Sequence, residues 1–233
     1  MENQDKWYTD AADYWDKVEA TDDGVLGGFG NLSFFDSRDS KKFIKEFVEG
    51  KYGANNHLIS PPQFETHLAC DCGAGIGRVS KVFLLDIFEK VDLVEQNPKF
   101  LEKAKNSYMG SLENRVNSYI CEGLQTFTPE PKKYDVIWCQ WVLGHLKNYD
   151  LIQFFERCKK GLKDKGMIFV KENNCINEFD VDDVDSSMTR SDSLFKEIFQ
   201  KSGLELVKEA TQKNFPSSLY PVKMYALKPI KKE

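Results

Sequence analysis

Three glycines at alternate positions, Gly73, Gly75 and Gly77, lie in the stretch Cys70-Asp71-Cys72-Gly73-Ala74-Gly75-Ile76-Gly77-Arg78. Glycine is needed where a backbone must take positive φ or let a ligand approach without a Cβ in the way. The apolar run before the triplet reads as a strand and the residues after it as a helix, the setting of a nucleotide-cofactor turn. Eighteen residues beyond Gly77, the run Val91-Asp92-Leu93-Val94-Glu95 ends in a carboxylate. That separation suits an acid that holds ribose hydroxyls. The spacing is G-x-G-x-G rather than the dinucleotide G-x-G-x-x-G, and no second mononucleotide half follows. The pattern therefore favours S-adenosylmethionine over NAD. Without Glu95, the glycines could equally form a plain tight connection.

Two further segments carry chemistry. Tyr134-Asp135-Val136-Ile137-Trp138-Cys139-Gln140 reads as a strand, and Trp141, Gly144 and His145 follow within a turn, which suggests a substrate wall. A lone histidine is otherwise usually structural. Asp180-Val181-Asp182-Asp183-Val184-Asp185-Ser186-Ser187 is dense in carboxylates. Its bland reading is an acidic loop with helix-capping Asp and Ser.

The elements that must position these residues follow from periodicity. Trp7, Ala11, Tyr14, Trp15 and Val18 recur at three- and four-residue steps, so residues 7–20 are predicted helical. Thr21 to Gly30 holds four glycines with Val25, Leu26 and Phe29 between them, composition for a shaped loop rather than a linker. A helix is expected at 41–49 and a loop from Gly50 to Gln63, stopped by Pro61-Pro62. Then strands near 66–71, 91–95, 116–121, 134–140 and 166–171 alternate with helices near 76–88, 98–109 and 149–161. A helix near 191–202 and strands at 204–207 and 222–227, joined by a long loop at 211–221, close the pattern. Repeated β-then-α order implies a parallel sheet. Ligands of such sheets sit beyond the carboxyl ends of the strands, where Gly73–Gly77, Glu95, Gly123-Leu124-Gln125, Gln140-Trp141 and Glu172-Asn173-Asn174 all fall.

The 233 residues, 41% hydrophobic and 13% aromatic, suffice for one α/β unit with its own core. Residues 1–63 are expected to form a helical extension and substrate-covering loop, and residues 64–230 one compact cofactor domain. The six cysteines contain no C-x-x-C pair and the three histidines stand far apart, which argues against a disulfide framework or a metal site. A net charge of −5 disfavours nucleic acid and suits a basic partner. No apolar run approaches a membrane span, and Met1 to Lys6 lacks the order of a signal peptide. A soluble protein of the cytoplasm, and also the nucleus, is the expectation.

Taken together, these segments resemble the protein N-terminal methyltransferases, which methylate the α-amino group of proteins beginning Xaa-Pro-Lys or Xaa-Pro-Arg. The resemblance runs from about Tyr14 to Lys228. It is carried by Tyr14-Trp15, Gly24 to Gly30, Asp71 to Arg78, Gly123-Leu124-Gln125, Trp138 to Trp141, Gly144-His145-Leu146, Lys171-Glu172-Asn173 and Asp185-Ser186-Ser187. It implies a class I, Rossmann-like methyltransferase fold: a seven-stranded, mostly parallel sheet with helices on both faces and an N-terminal helical extension. For the cofactor S-adenosylmethionine, and its product S-adenosylhomocysteine, it implies Gly73, Gly75 and Arg78 at the methionine portion, with Arg78 facing the carboxylate. Glu95 would take the ribose, Leu124 and Gln125 the adenine, and Gln140 would also reach the cofactor.

For the substrate, the resemblance implies Trp15 and Trp141 around the second-position proline and Asp182 and Asp185 toward the third-position cation. Ser187 supports that wall, Leu26 and Gly27 lie on the covering loop, and Tyr220 adds to the lining. Asn173 would orient the amine, and Asp185 with His145 would accept its proton. A monomer is expected, with ribosomal proteins among its targets. A small-molecule methyltransferase of the same class and a non-catalytic binding module are the alternatives. A nucleic-acid amino-methyltransferase is disfavoured, because Ser60-Pro61-Pro62-Gln63 precedes the first predicted strand of the sheet and lacks that motif's aromatic residue.

Overall fold

A computed structural model describes residues 2–230. The Lys-rich end, residues 228–233, reads from the sequence as a tail that frays; Lys228 and Pro229 end a strand instead, and residues 231–233 lie outside the described residues.

The N-terminal helix α1 runs Glu2–Asp16, and a single turn, α2 (Asp22–Val25), is capped by the Thr21 hydroxyl, which accepts from the Gly24 N–H. The glycine-rich stretch is thus a shaped loop. A 3-10 turn then leads into α3 (Ser33–Glu49), which starts earlier than the 41–49 expected and buries Asp36, Phe43, Ile44 and Phe47. The expected loop 50–63 contains a small hairpin, β1 (Lys51–Tyr52) with β2 (Leu58–Ser60).

The alternation follows: β3 (Leu68–Cys72), α4 (Arg78–Val82), β4 (Lys90–Glu95), α5 (Pro98–Lys103), β5 (Val116–Cys121), β6 (Tyr134–Gln140), α6 (Asn148–Gly161) and β7 (Leu162–Cys175). The helix expected at 76–88 breaks at Phe83 and resumes as a 3-10 turn, Leu84–Asp86. The one at 98–109 continues from α5 as a π-turn over Ala104–Tyr108. Pro98 at the first turn and the Asn97 side chain, which accepts from the Lys99 N–H, define the start of α5.

The acidic segment is not a loop. It forms a second hairpin, β8 (Phe179–Asp182) with β9 (Ser187–Ser191), turning at Ser186 with φ +51°. Helix α7 (Asp192–Lys201) is capped by Ser191, and β10 (Leu204–Thr211) and β11 (Val222–Pro229) complete the chain.

The main sheet has seven strands in the order β10-β11-β7-β6-β3-β4-β5. All pairs from β7 to β5 are parallel, whereas β11 runs antiparallel to both neighbours. The β8–β9 hairpin joins the end of β7. All seven residues of the central strand β6 are buried, as expected for a parallel strand covered on both faces.

Two cores flank the sheet. One holds Phe154, Phe155, Phe195 and Phe199 under α6 and α7. The other packs Phe43, Ile44 and Phe47 of α3 with Trp138, which stacks on Phe169 at 5.6 Å between ring centroids. Helix α3 of the extension is therefore part of the sheet's own core. Chain order reverses between β3 and β6, so the switch point lies above β3, β4 and β6, where open α/β sheets bind ligands.

Candidate active site

At the switch point, Gly73, Gly75 and Gly77 have φ of +71°, +56° and +85°. A Cβ on Gly73 would stand 2.4 Å from Val142, so the loop and the turn after β6 meet at a distance that only glycine allows. The N–H groups of Gly73 and Ala74 both donate to the Val94 carbonyl, at 2.8 and 3.0 Å, which ties the loop to the end of β4. Glu95 completes the tie. Its Oε2 accepts from the Gly75 N–H at 2.9 Å and its Oε1 from the Asn97 N–H at 2.8 Å. Burial pushes the Glu95 carboxyl up and these N–H groups oppose it. Each oxygen keeps acceptor capacity toward the cavity.

That cavity is lined by Gly73, Gly75, Glu95, Leu124 and Gln125, and α1 covers it through Tyr8, Ala11 and Trp15. Arg157 donates to the carbonyls of Leu124, Gln125 and Phe127, and so sets the segment on the adenine side. Trp7 Nε1 donates to the His145 carbonyl, Tyr8 Oη to Asp150, and Asn97 to the Trp15 carbonyl. The donor set fits S-adenosylmethionine: a glycine cradle, a carboxylate for vicinal hydroxyls, and apolar walls from Leu124 and Phe100 for a base.

A second channel of about 430 Å³ is lined by Leu26, Gly27, Trp141, Asn173, Asp182 and Tyr220, with Phe29 and Phe215. Five of the eight residues expected around the substrate, together with the expected amine-orienting Asn173, thus converge from the covering loop, the ends of β6 and β7, the hairpin and the C-terminal loop, while Asp185 lies outside that lining. Ser187 sits opposite Asp182 in the hairpin register, outside that lining. Trp15 stands on the cofactor side, and Trp141 lines both spaces.

Trp141 is held in the left-handed region at φ +52°, and its N–H donates to the Lys171 carbonyl at 3.1 Å. Its indole N–H is buried with no hydrogen-bond partner among the described residues. The same is true of Oδ1 of Asp185. His145 is differently occupied. Its Nε2 accepts from Trp15 Nε1 at 2.9 Å, which places the proton on Nδ1, 3.2 Å from the Ser186 carbonyl. Burial lowers the His145 pKa, and the Asp185 charge opposes that shift.

Arg78 and Gln140, expected at the cofactor, stand outside the lining of both spaces. Arg78 Nη1 donates to Asp36 Oδ2 at 2.7 Å, and Gln140 Nε2 donates to both Asp36 oxygens at 2.9 Å. Lys171 Nζ donates to Asp36 Oδ1 at 2.5 Å. Two buried cations thus face one buried carboxylate. They lie 5.6 Å (Arg78) and 6.0 Å (Lys171) from the Trp141 ring, within cation–π range. Burial raises the Asp36 carboxyl, but Lys171 and Arg78 together hold it below its usual value.

Sequence reasoning did not find Asp36, because it lies before the helix expected at 41–49 and its partners Arg78, Gln140 and Lys171 are far along the chain. Nor did it find that α1 covers the cofactor cavity, since its periodicity marks an apolar face without saying what that face meets. Phe29 and Phe215 also escaped, for want of a local pattern.

The family model for AdoMet dependent proline di-methyltransferases matches residues 3–228. An alpha N-terminal protein methyltransferase 1 of Dictyostelium discoideum is 47% identical over 96% of this chain and 80% of its own length. An N-terminal Xaa-Pro-Lys N-methyltransferase 1 of Danio rerio is 42% identical over 98% of each chain. Among solved structures, a SAM-dependent methyltransferase of Leishmania major superposes with a TM-score of 0.84 at 40% identity, covering 95% of this chain and 83% of that one. A near-complete match to the family model, these identities and the shared fold place the chain in the family of AdoMet-dependent proline di-methyltransferases.

Proposed function

We propose that this protein transfers a methyl group from S-adenosylmethionine to the α-amino group of proteins whose exposed N-terminus reads Xaa-Pro-Lys or Xaa-Pro-Arg. The observation that carries the reading is Trp141, which stands at the junction of the cofactor cavity and the channel that Asp182 lines. When bound, S-adenosylmethionine supplies a methyl group on a sulfonium, ready for in-line displacement by a neutral amine.

The chain's residues then have three tasks. Gly73, Gly75 and Glu95 hold the cofactor at the mouth of the channel. Trp141 offers a flat indole to the rigid proline ring, while Asp182 receives the third-position cation. Asn173 orients the amine and Asp185 takes its proton. Deprotonating an α-amine of pKa about 8 at pH 7 costs about 1.4 kcal/mol, whereas a lysine at about 10.4 would cost about 4.6. A modest base therefore suffices. Asp185 is the open acceptor, since its Oδ1 is buried and unpaired among the described residues while the His145 Nε2 lone pair is taken by Trp15. His145 is then the neutral partner that aligns Trp15 and the Ser186 turn.

Ribosomal proteins that begin in this way, a cytosolic or nuclear location and action as a monomer complete the proposal. No helix among the described residues is long and apolar enough to cross a membrane. The test is transfer of labelled methyl to an Ala-Pro-Lys peptide, beside its N-acetylated form and an Ala-Pro-Glu peptide. Label on the free Lys peptide alone supports the reading. Equal label on the acetylated peptide moves the reaction to a side chain. Cofactor binding with no transfer to any of them points to a small-molecule substrate or a non-catalytic role.

A further inference from the structure

Lys171-Glu172-Asn173 ends the parallel stretch of β7, and the proposed chemistry uses only Asn173. Glu172 is 6% exposed and lies outside the lining of both the cofactor cavity and the channel. Its Oε1 accepts from the N–H groups of Val142 and Leu143, each at 2.8 Å. These two donors open the 3-10 turn Leu143–His145 that follows Trp141. The other end of the turn is held by Arg190, which is fully buried. Its Nη1 donates to the Leu143 carbonyl at 3.0 Å, its Nη2 to the Leu146 carbonyl, and its Nε to Asn148 at 2.8 Å.

A short turn leaves N–H groups unpaired at its start and carbonyls at its end. Here the Glu172 carboxyl meets the first, and the Arg190 guanidinium meets the Leu146 carbonyl beyond the turn together with the Leu143 carbonyl at its start. Three successive N–H groups, those of Trp141, Val142 and Leu143, therefore bond to β7. A non-glycine residue at φ +52° persists only when its surroundings impose it. Arg190 also lies on β9, in the same hairpin as Asp182, so the clamp joins the turn to the acidic wall.

We infer that Glu172 and Arg190 form a hydrogen-bonding clamp that holds the Trp141–Leu146 turn against the acidic hairpin, which makes Glu172 a positioning residue for methyl transfer. The inference rests on the proposed reading for what the turn presents, not for the clamp itself.

Wild-type protein, Glu172→Leu and Glu172→Gln are compared in three measurements: turnover on an Xaa-Pro-Lys peptide, S-adenosylhomocysteine affinity by calorimetry, and exchange of individual backbone amides. Glu172→Leu is expected to lower kcat about 100-fold, the scale of a misplacement near 1 Å. Its cofactor affinity should fall by no more than about tenfold, because Gly73, Gly75 and Glu95 keep their own ties to β4 while only Trp141, Val142, His145 and Leu146 of the cavity lining belong to the turn. The Val142 and Leu143 amides should exchange at least about tenfold faster while those of β3 and β4 do not change. Glu172→Gln keeps an acceptor oxygen and should stay within about fivefold of wild-type turnover.

Should Glu172→Leu fail to fold, Arg190→Lys keeps the charge but cannot span both carbonyls, and it should show the same split between kcat and cofactor affinity. Full turnover in Glu172→Leu, unchanged exchange at the two amides, or equal losses in the Gln and Leu variants would each overturn the clamp. If the wild-type protein leaves the peptide unmethylated, the functional reading fails while the exchange comparison still decides the clamp.

Discussion

The cofactor half and the substrate half of this site differ in how their polar groups are settled. Around the glycine loop, β3 and β4 are adjacent parallel strands, and Gly73, Ala74, Gly75 and Asn97 already donate to Val94 or Glu95. The glycine loop is thus set by short-range connections within one βαβ unit, while α1 and the turn after β6 complete the cavity around it. The substrate half draws on the covering loop, two strand ends, a hairpin and the C-terminal loop, and its Trp141 indole N–H is buried with no partner among the described residues, as is Oδ1 of Asp185 in the hairpin turn outside the channel lining. The difference teaches that binding and turnover should be separable by mutation. The glycine loop spends its N–H groups within one unit, whereas Trp141 and Asp185 keep buried polar atoms without a partner among the described residues.

The sharpest attempt to break that separation is Asp185→Asn. It should lower kcat about 10²- to 10⁴-fold, the range for a positioned base, while calorimetry finds cofactor affinity nearly unchanged. A variant that turned over like wild type would remove Asp185 as the base. In the wild type, kcat/KM should rise with pH toward the amine pKa near 8, with no inflection from His145 above 6.5, because burial holds His145 neutral there.

Asp36 stands beneath both halves, so it should act on stability instead. Asp36→Asn leaves Arg78 and Lys171 buried without their carboxylate and should cost about 3–5 kcal/mol, a fall in Tm of roughly 10 °C. The folded pKa of Asp36 lies below its unfolded value. Its contribution is therefore fully present above about pH 4 and is lost as pH falls through the folded value. Denaturant titrations of both proteins across pH 2–7 should show their difference shrinking at the acid end. A constant difference would mean that charge is not what Asp36 supplies.

Glu95→Ala tests the other half. Losing charge-assisted hydrogen bonds should weaken cofactor binding about 10- to 100-fold, with peptide KM unchanged at saturating cofactor. A comparable rise in peptide KM would show that the halves are coupled. The smallest effect is expected from Tyr220→Phe. Its hydroxyl donates to Asp180 at 3.1 Å on an exposed edge, so steady-state kinetics should show peptide KM rising no more than about threefold.

The order of elements, the glycine loop, Glu95 and the strand-end position of Trp141 were all legible in the chain, because alternating periodicity and local spacing determine them. So were the residues that gather in the channel, through the resemblance that Lys171-Glu172-Asn173 and Asp185-Ser186-Ser187 helped to carry. The pattern marked α1 and the second half of α3 as helices, but it could not say that Asp36 in the first half would meet Arg78, Gln140 and Lys171, or that Trp15 would close the cofactor cavity and occupy His145. The acidic segment read as a loop because carboxylates hide strand propensity, and only pairing with β9 and β7 made it a hairpin. Local sequence by itself determined which backbone conformations and end-of-strand positions exist. Tertiary structure decided which buried charges neutralise one another and which are left for the substrate, because that depends on contacts between residues as much as 135 positions apart, as in Asp36 and Lys171.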